Sequence, residues 1–224
     1  MKNIVLSFGG SVLLSKDVDV EFLHRLADLL RKLSSRYKIY VIVGGGSVAR
    51  TYINLGRTLK FDEDVLDSFG IEITRVNAKM FACLLEISNQ EIPSTTDEAK
   101  RIRKPIVVMG GTTPGHSTDM VSAELAEKIM AVRFVNATNV DGIYDKDPHK
   151  YPDAQQIREI SVQDLIQKYG TTWDSAGKNV VIDGPALAII KRAKIPTSIV
   201  NGKRLDQLEN ALTGQSFSGT TITL

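Results

Sequence analysis

The sequence predicts an α/β fold, a three-layer α/β/α sandwich built around a mostly parallel central sheet. Short apolar runs typical of buried strands recur along the chain, and three of them end in glycine-rich loops that lead into amphipathic helices. A strand that continues through a loop into a helix needs a crossover connection, and such connections join parallel strands. With 224 residues the chain is long enough for one sizeable core, so we expect residues 1–224 to form a single domain.

The predicted strands of the first half each end at or near glycine, and they cover residues 3–8, 38–43 and 106–109. Helices are expected to follow them, beginning at Asp19, Ser47 and Asp119, because apolar residues recur there at helical spacing. Thr95 with Glu98 forms a capping-box pattern, which predicts a short helix before the third strand.

The segment of residues 62–91 is rich in helix-forming residues and carries an apolar surface broader than one core face needs. Two explanations are open at this point. The helix is buried against two elements of its own domain, or residues 65–85 also form a contact between subunits.

The second half of the chain is predicted to add strands, capped helices and one exposed loop. Its strands are expected over residues 132–138, 197–200 and 220–224. Ser161 with Asp164, and Asp183 alone, are N-cap patterns that predict two further helices. The segment of residues 145–153 holds two prolines among charged residues, so we expect an exposed loop there.

Charge and cysteine content argue against several classes of function. Lysine and arginine total 28 against 26 for aspartate and glutamate, and this net charge of +2 favours neither nucleic acid nor an anionic membrane as partner. The single cysteine, Cys83, suits a reducing compartment. No apolar run approaches the ~18 residues of a membrane span and no signal-peptide core is recognised, so we predict a cytoplasmic location.

Three glycine-rich loops are the first indication of function, and they are Gly9-Gly10-Ser11, Gly44-Gly45-Gly46-Ser47 and Gly110-Gly111-Thr112. Backbone N–H groups of such loops can surround an anion, because glycine permits close approach and positive φ. One loop alone is a weak indication, since tight turns also use glycine for steric reasons. Loops at the carboxyl ends of parallel strands face one crevice, so the three together predict a site for a chain of phosphates. None has the spacing of a Walker A loop or of a dinucleotide-binding fingerprint.

The third loop leads directly into a predicted helix, and this geometry binds anions because unpaired N–H groups and the helix dipole converge there. The loop consists of small and hydrogen-bonding residues, namely Thr112, Thr113, Pro114, Gly115, His116, Ser117 and Thr118. Pro114 stiffens the loop, so less entropy is lost on binding. We therefore expect this loop to hold a phosphorylated substrate.

Two longer motifs are more specific than the glycines. The run Thr138-Asn139-Val140-Asp141-Gly142-Ile143-Tyr144 with Asp147-Pro148 resembles the T-x-V-D-G-V-Y-x-x-D-P motif of the amino-acid-kinase superfamily. Within it, residues 110–119 resemble the branch that phosphorylates UMP in archaea, and the resemblance covers essentially the whole chain. It implies transfer of the γ-phosphoryl group of ATP to the 5′-phosphate of UMP, giving UDP for the synthesis of CTP.

The same resemblance assigns roles to individual residues. Those expected along the ATP phosphates are Gly9, Gly10, Ser11, Gly45 and Arg50. Those expected around the adenosine are Thr138, Asn139, Tyr144 and Asp147. Those expected to hold UMP are Gly44, Asp67, Thr112, Thr113, Pro114, Gly115, His116, Ser117 and Thr118. Asp119 is the expected catalytic residue, acting directly or through Mg²⁺, and Asp183 is a second candidate.

Residue chemistry leaves a simpler alternative open for several of these assignments. Asp67 can accept two ribose hydroxyls, or it can be a solvated carboxylate on a helix. His116 can donate to a phosphate or cap a helix, and Tyr144 can stack on a base or pack in the fold. Three carboxylates can also serve only to start a turn or a helix, namely Asp119, Asp147 and Asp183.

The implied reaction requires no general base, because the phosphate of UMP is already an anion near neutral pH, and Mg²⁺ on the ATP oxygens is the expected neutraliser. This chain departs from the superfamily in two places. Many members have a lysine in the first strand where this chain has Ser7, and bacterial relatives have a lysine in place of Asn139. Positive charge must then come from Arg50, from Lys178 or from the metal.

The resemblance also implies a homo-oligomer, since members of this type assemble as hexamers of dimers, with the UMP side roughly in residues 1–130 and the ATP side in residues 131–224. Two other functions stay open. One is phosphoryl transfer to carbamate, acylglutamate or isopentenyl phosphate, which would need a cationic clamp or an apolar tail pocket in place of Asp67 and the loop of residues 112–118. The other is non-catalytic storage of a nucleotide or oxyanion.

Overall fold

The structure is a computed structural model that describes residues 1–13, 18–146, 148, 150–172 and 181–224. Asp147 and Lys178, two of the residues that the sequence analysis considered for the site, lie outside the described residues. Within the described ranges, no helix is both long and apolar enough to cross a membrane.

The first half of the chain alternates strands and helices as predicted. Its strands are β1 (Lys2–Phe8), β2 (Tyr37–Val43) and β3 (Ile106–Met109). Its helices are α1 (Gly10–Leu13), α2 (Val20–Leu33), α3 (Gly46–Thr58), α4 (Glu63–Leu85), α5 (Thr96–Arg101) and α6 (Thr118–Lys128).

The second half contributes shorter strands. They are β4 (Arg133–Thr138), β5 (Ile143–Tyr144), β6 (Gln156–Ile157), β7 (Glu159–Ser161), β8 (Thr197–Asn201) and β9 (Thr220–Thr223). Its helices are α7 (Val162–Tyr169), α8 (Gly184–Ala193) and α9 (Leu205–Thr213).

The described residues form a seven-stranded sheet in the order β3-β2-β1-β4-β8-β9-β7, and β5 pairs with β6 separately. Every pair of neighbours in the large sheet is parallel except β8 and β9. Phe8 at the end of β1 is level with Val43 of β2 and Ala137 of β4, so these strands end at one edge of the sheet. The predicted α/β fold with a mostly parallel sheet is confirmed.

Helices cover both faces of the sheet. Alternate side chains of β1, such as Leu6, pack with α2, α4 and α9 on one face. The intervening Val5 packs with α5, α6, α7 and α8 on the other face. This alternation follows from the two-residue period of a strand, and it creates the two apolar layers of a three-layer sandwich.

Side chains cap four helices, and the caps are Asp19, Thr95, Ser161 and Asp183. The last three were predicted as caps, whereas Asp19 was expected to be the first residue of its helix. Each accepts a hydrogen bond from a backbone N–H group in the first turn, which would otherwise lack a partner. These caps fix where the chain enters α2, α5, α7 and α8.

Several helix boundaries differ from the prediction, and two of these differences have a clear structural cause. α6 begins at Thr118 rather than Asp119, because the Ser117 hydroxyl takes the N-cap position. α4 ends at Leu85 rather than near residue 91, since Glu86 has a φ of 60°, which a right-handed helix cannot continue through. The short elements α1, β5, β6, β7 and the nine-residue α9 were not predicted at all.

Candidate active site

The first two glycine loops touch each other at the carboxyl edge of the sheet. A Cβ atom added to Gly10 would lie 2.6 Å from the carbonyl carbon of Gly44, and closer still to the Gly44 oxygen and the Gly46 nitrogen. Gly46 itself has a φ of 67°, a conformation that favours glycine. No side chain fits between these backbones, so the sequence requirement for glycine here is steric and conformational.

Helix α4 holds the second and third loops in place through polar side chains. The Thr74 hydroxyl accepts a hydrogen bond of 2.6 Å from the Gly111 N–H group. The Asn77 amide donates to the carbonyls of Gly44 at 2.9 Å and Gly45 at 3.3 Å. The two loops are therefore fixed relative to each other by one helix.

Arg75 adds a further link from α4, since its guanidinium donates to the carbonyls of Gly111 and Thr112, each at 3.3 Å. The sequence analysis did not identify Thr74, Arg75 or Asn77. A signal existed for two of them, because Thr74 and Asn77 are polar residues on the buried face of a helix. Buried polar groups need partners, which makes such positions candidates for holding a neighbouring segment.

A cavity of about 210 Å³ lies where these loops converge. It brings together six of the residues that the sequence analysis assigned to either nucleotide, namely Gly45, Arg50, Asp67, His116, Ser117 and Thr118. Gly46, Thr74 and Gly111 also line it. Thr112, Thr113 and Pro114 do not line it, and the latter two are exposed.

Asp67 and His116 differ in whether the described residues provide a hydrogen-bond partner for their side chains. The Asp67 carboxylate accepts a hydrogen bond of 2.6 Å from the Gly115 N–H group, which ties the third loop to α4. His116 leaves its buried Nδ1 without a hydrogen-bond partner among the described residues. A buried nitrogen that lacks a partner beside a cavity is available to a ligand.

Two carboxylates meet close to this cavity, at the start of α6 and of α8. Asp119 accepts hydrogen bonds through Oδ1 from the Ser7 hydroxyl at 3.0 Å and the Asn136 amide at 3.2 Å. Asp183 accepts a hydrogen bond from the Ser117 hydroxyl, and another of 2.9 Å from Ala186 N–H. Ser117 thus caps α6 and also joins the two helix starts.

Burial and mutual repulsion both act on this pair of carboxylates. Burial and, to a smaller extent, the negative charge of Asp183 together raise the pKa of Asp119 to about 7, against the hydrogen bonds from Ser7 and Asn136, which lower it. Burial also raises the pKa of Asp183, against the hydrogen bonds from Ser117 and Ala186. A nearby cation would relieve the repulsion and favour the ionised pair.

The donor set of Asp119 and Asp183 fits Mg²⁺. This ion prefers oxygen ligands and is commonly held by one or two carboxylates together with substrate phosphates. The described residues contain no group of three or more His, Cys, Asp and Glu side chains that could hold a metal by themselves. A site that shares its ion with a substrate is consistent with both observations.

Of the residues expected around adenosine, Thr138 lies beside the first glycine loop. Gly9 N–H donates to the Ala137 carbonyl at 3.0 Å, so Thr138 directly follows the point of contact. The Thr138 hydroxyl donates to the Asn139 side chain at 3.3 Å. Tyr144 is half-buried, and burial raises its pKa, while none of Thr138, Asn139 and Tyr144 lines the cavity described above.

Comparison with known proteins identifies the family. The family model described as "Amino acid kinase family" matches residues 2–201. The chain is 41% identical to the uridylate kinase of Methanobrevibacter smithii over 222 residues, which cover 98% of each protein. It is 42% identical to the uridylate kinase of Thermoplasma volcanium over 224 residues, covering 99% of this chain and 97% of the relative.

A solved structure agrees with these sequence matches. The crystal structure of uridylate kinase from Archaeoglobus fulgidus superposes with a TM-score of 0.86 at 38% sequence identity, covering 99% of this chain and 100% of that one. Fold, chain length and sequence therefore agree along the whole chain. The chain belongs to the amino acid kinase family.

Proposed function

We propose that this chain is a UMP kinase, which transfers the γ-phosphoryl group of ATP to UMP and so provides UDP for CTP synthesis. The observation that carries the proposal is the cavity where glycine-loop backbones, the start of α6 and Asp67 converge. The similarity to archaeal uridylate kinases over almost the whole chain supports UMP as the acceptor.

UMP occupies the side of the site formed by β2, β3 and α4. Its phosphate lies at the start of the eleven-residue helix α6, where Thr118 and the preceding loop offer N–H groups and the positive end of the helix dipole. His116 Nδ1 supplies one further polar contact. Asp67 uses one carboxylate oxygen for Gly115, and its other oxygen accepts the ribose hydroxyls. The remaining UMP contacts in this proposal come from Gly44, Thr112, Thr113, Pro114 and Ser117.

ATP occupies the neighbouring side, formed by β1, β2 and β4. Its phosphates lie along the first two glycine loops, with contacts from Gly9, Gly10, Ser11, Gly45 and Arg50. Its adenosine lies toward Thr138, Asn139, Tyr144 and Asp147. In this arrangement residues 1–130 mainly hold UMP and residues 131–224 mainly hold ATP, within one domain.

Phosphoryl transfer in this site depends on positioning and charge neutralisation. An oxygen of the UMP phosphate attacks the γ-phosphorus, and ADP leaves with the bridging oxygen. No residue has to remove a proton, because the second pKa of a phosphate monoester is about 6. Arg50, which lines the cavity, offers positive charge to the phosphates. Asp119 and Asp183 would hold Mg²⁺, which when bound neutralises negative charge on the phosphate oxygens.

A coupled assay of ADP release with several acceptors tests the substrate. UMP should outpace CMP, carbamate, acetylglutamate and isopentenyl phosphate when each is present with ATP and Mg²⁺. Faster turnover of CMP or of a carboxylate would identify a different acceptor. Absence of ADP release with every acceptor, despite UMP binding, would favour storage of a nucleotide over catalysis.

The substitution Asp119→Asn separates catalysis from binding. We expect kcat to fall by at least about 100-fold, because the carboxylate acts on the transferring group, while the calorimetric Kd for UMP changes by less than about threefold. Asp206→Asn is the matched control, since Asp206 occupies the first turn of α9 as Asp119 does in α6. Equal loss of turnover and of UMP binding would place Asp119 in the UMP subsite instead.

We also propose that copies of the chain associate through the outer surface of α3 and α4, as dimers that assemble into a hexamer, in the cytoplasm. Three apolar residues of α4 in the segment that the sequence analysis suggested for this contact, Leu66, Phe81 and Leu85, are fully buried in the chain itself. The exposed apolar residues are instead mainly on α3, and the surface consists of Val48, Tyr52, Leu55, Val65 and Val76. α3 and α4 pack against each other, and exposed apolar residues on two adjacent helices are typical of a protein interface.

A further inference from the structure

Two polar side chains interrupt the apolar interior of the central sheet beneath Asp119. Ser7 in β1 and Asn136 in β4 are partners in the parallel register, so they lie side by side on adjacent strands. Both are buried, with 3% and 4% of their surfaces exposed. Their neighbours Leu6 and Val135 are also partners in register and belong to the apolar core.

Packing alone gives no reason for this polar pair. A hydroxyl and an amide lose their hydration in the interior, and this loss is offset only when each finds a hydrogen-bond partner. Both find it on the same atom, because Ser7 Oγ and Asn136 Nδ2 donate to Oδ1 of Asp119. The Asp119 carboxylate is therefore held by two hydrogen-bond donors whose backbones belong to adjacent strands of the sheet.

These two hydrogen bonds both involve the same oxygen of the Asp119 carboxylate, Oδ1. Among the residues that the structure describes, none donates a hydrogen bond to Oδ2 of Asp119. Two donors on Oδ1 restrict rotation of the carboxylate about its Cβ–Cγ bond, and this fixes the direction in which Oδ2 points. A fixed direction matters because phosphoryl transfer depends on the placement of charged groups around the transferring phosphoryl.

Asn136 also connects the two carboxylates of the site. The same Nδ2 atom that donates to Asp119 donates to the Val181 carbonyl at 2.9 Å. Val181 precedes Asp183 by two residues, so this bond anchors the segment that carries the second carboxylate. One amide in β4 thus helps to set the position of Asp119 relative to Asp183.

We propose that Ser7 and Asn136 are positioning residues for phosphoryl transfer, which act by fixing the orientation of the Asp119 carboxylate and the segment before Asp183. The inference rests on the proposed kinase function, and it adds two residues that contact neither nucleotide in the proposed arrangement. They affect the rate of transfer through Asp119 and leave the binding of UMP and ATP largely unchanged.

The first experiment compares Ser7→Ala with two reference variants. Ser7→Ala should lower kcat by about 10-fold or more while the KM values and the calorimetric Kd for UMP change by less than about threefold. Ser7→Thr keeps the hydroxyl and should return kcat to within about threefold of the unchanged protein. Ser88→Ala is the matched control, because Ser88 is also fully buried and donates one hydrogen bond, of 2.9 Å, to Ala82 near the end of α4. It should leave kcat unaltered.

The second experiment is a double-mutant cycle. If Ser7 acts only through Asp119, the Ser7→Ala change should cause no further loss of kcat in a chain that already carries Asp119→Asn. Asn136→Ala should likewise cause a smaller loss of kcat in a chain that carries Asp119→Asn than in the unchanged chain, because part of its effect is exerted through Asp119. Thermal unfolding of each variant shows whether a loss of kcat merely follows a loss of folded protein.

Several outcomes would overturn the inference. These are an unchanged kcat in Ser7→Ala, a loss that Ser7→Thr does not restore, or a loss of kcat that simply adds to that of Asp119→Asn. A loss of folded protein that accounts for the whole effect would do the same. Absence of UMP turnover in the unchanged protein would overturn the proposed function as well, whereas normal turnover with an additive loss overturns the positioning role alone.

Discussion

Asp119 shows how a single residue can be costly for folding and useful for the reaction. Its carboxylate is held by Ser7 and Asn136 in a position where burial, and next to it the nearby Asp183, makes ionisation unfavourable. Carboxylates with a strongly raised pKa are typical of functional sites, because a group placed to meet a ligand is often in an unfavourable environment without it.

The raised pKa of Asp119 gives stability a defined dependence on pH. The pKa is about 7 in the folded protein against an ordinary value of 3.8, so the folded state binds this proton more tightly than the unfolded state. The contribution of Asp119 to the free energy of unfolding therefore falls as pH rises from about 4 to about 7. Asp119→Asn removes this effect, and it should raise Tm at pH 8 by about 3–6 °C, with a smaller gain at pH 5. A difference in Tm that does not widen between pH 5 and pH 8, measured by calorimetry, would contradict this explanation.

Asp67 is expected to matter for one nucleotide only. Asp67→Ala should raise the KM for UMP by about 10-fold or more and leave the KM for ATP within about twofold, because both the ribose contact and the tie to Gly115 are lost on the UMP side. Asp64→Ala is the control, since Asp64 is exposed one turn earlier on α4. Equal changes in the two KM values would place Asp67 outside the UMP subsite.

Sequence reasoning at the level of residues could assign a role only where a motif or a local pattern marked the position. Asp119 and Asp183 were proposed as catalytic candidates from the resemblance to the family, and the local sequence alone also allowed them to serve only as helix starts. Asn136, Thr74 and Asn77 were missed, and Ser7 was noticed only as the absence of a lysine. A single polar residue in an apolar strand or helix acquires a function only when its partner, far away in the chain, is known.

At the scale of elements, the glycine loops and α4 behave as one assembly. Gly10 lies against the second loop, and Thr74, Arg75 and Asn77 of α4 hold the second and third loops. Backbone groups in such loops are easily misplaced by a single added atom, since neither neighbouring backbone can move without moving a strand end.

The close contact between the first two glycine loops predicts that one methyl group added at Gly10 lowers the stability of the fold strongly. Gly10→Ala should lower the free energy of unfolding by about 3 kcal/mol, because its Cβ would overlap the backbones of Gly44 and Gly46. Gly9→Ala is the matched control for stability, since the nearest atom to its Cβ would be the Ala137 oxygen at 3.3 Å, and it should cost less than half as much. Urea unfolding of the two variants gives the comparison. Similar costs would mean that the loops separate easily.

Helices and strands that the local sequence marks were predictable, whereas those that depend on pairing or packing with other segments were not. The first three strands and the four capped helices follow from apolar runs and from side chains that bond within three residues. The two-residue strands β5 and β6 exist only because they pair with each other. The end of α4 depends on the backbone of Glu86, a residue with no unusual preference for positive φ.

At the scale of the whole molecule, the sheet order determines where each nucleotide lies. β1 has β2 and β3 on one side and β4, β8, β9 and β7 on the other. The proposed UMP and ATP sites therefore lie on opposite sides of the first glycine loop, which brings the acceptor phosphate and the donor phosphate together there. The sequence predicted this convergence, because parallel strands leave their loops at the same edge.

The exposed surface of α3 and α4 predicts self-association. Light scattering after size exclusion should show a dimer or a larger assembly for the unchanged chain. The double change Tyr52→Glu with Leu55→Glu should shift it toward the monomer, because two charges would be buried in the contact. Val20→Glu is the control, since Val20 is 60% exposed but lies on α2. A monomeric unchanged chain, or an assembly that survives the double change, would contradict the proposed interface.

The hydrogen bond between Asp67 and Gly115 joins positions 48 residues apart, and both of its partners belong to the protein. The conformational entropy of that loop is thus lost during folding and not again at every encounter with UMP. Capture of the nucleotide then requires no slow rearrangement of the loop, and the association rate constant is set mainly by diffusion and orientation. Differences in affinity among nucleotides should accordingly appear in their residence times.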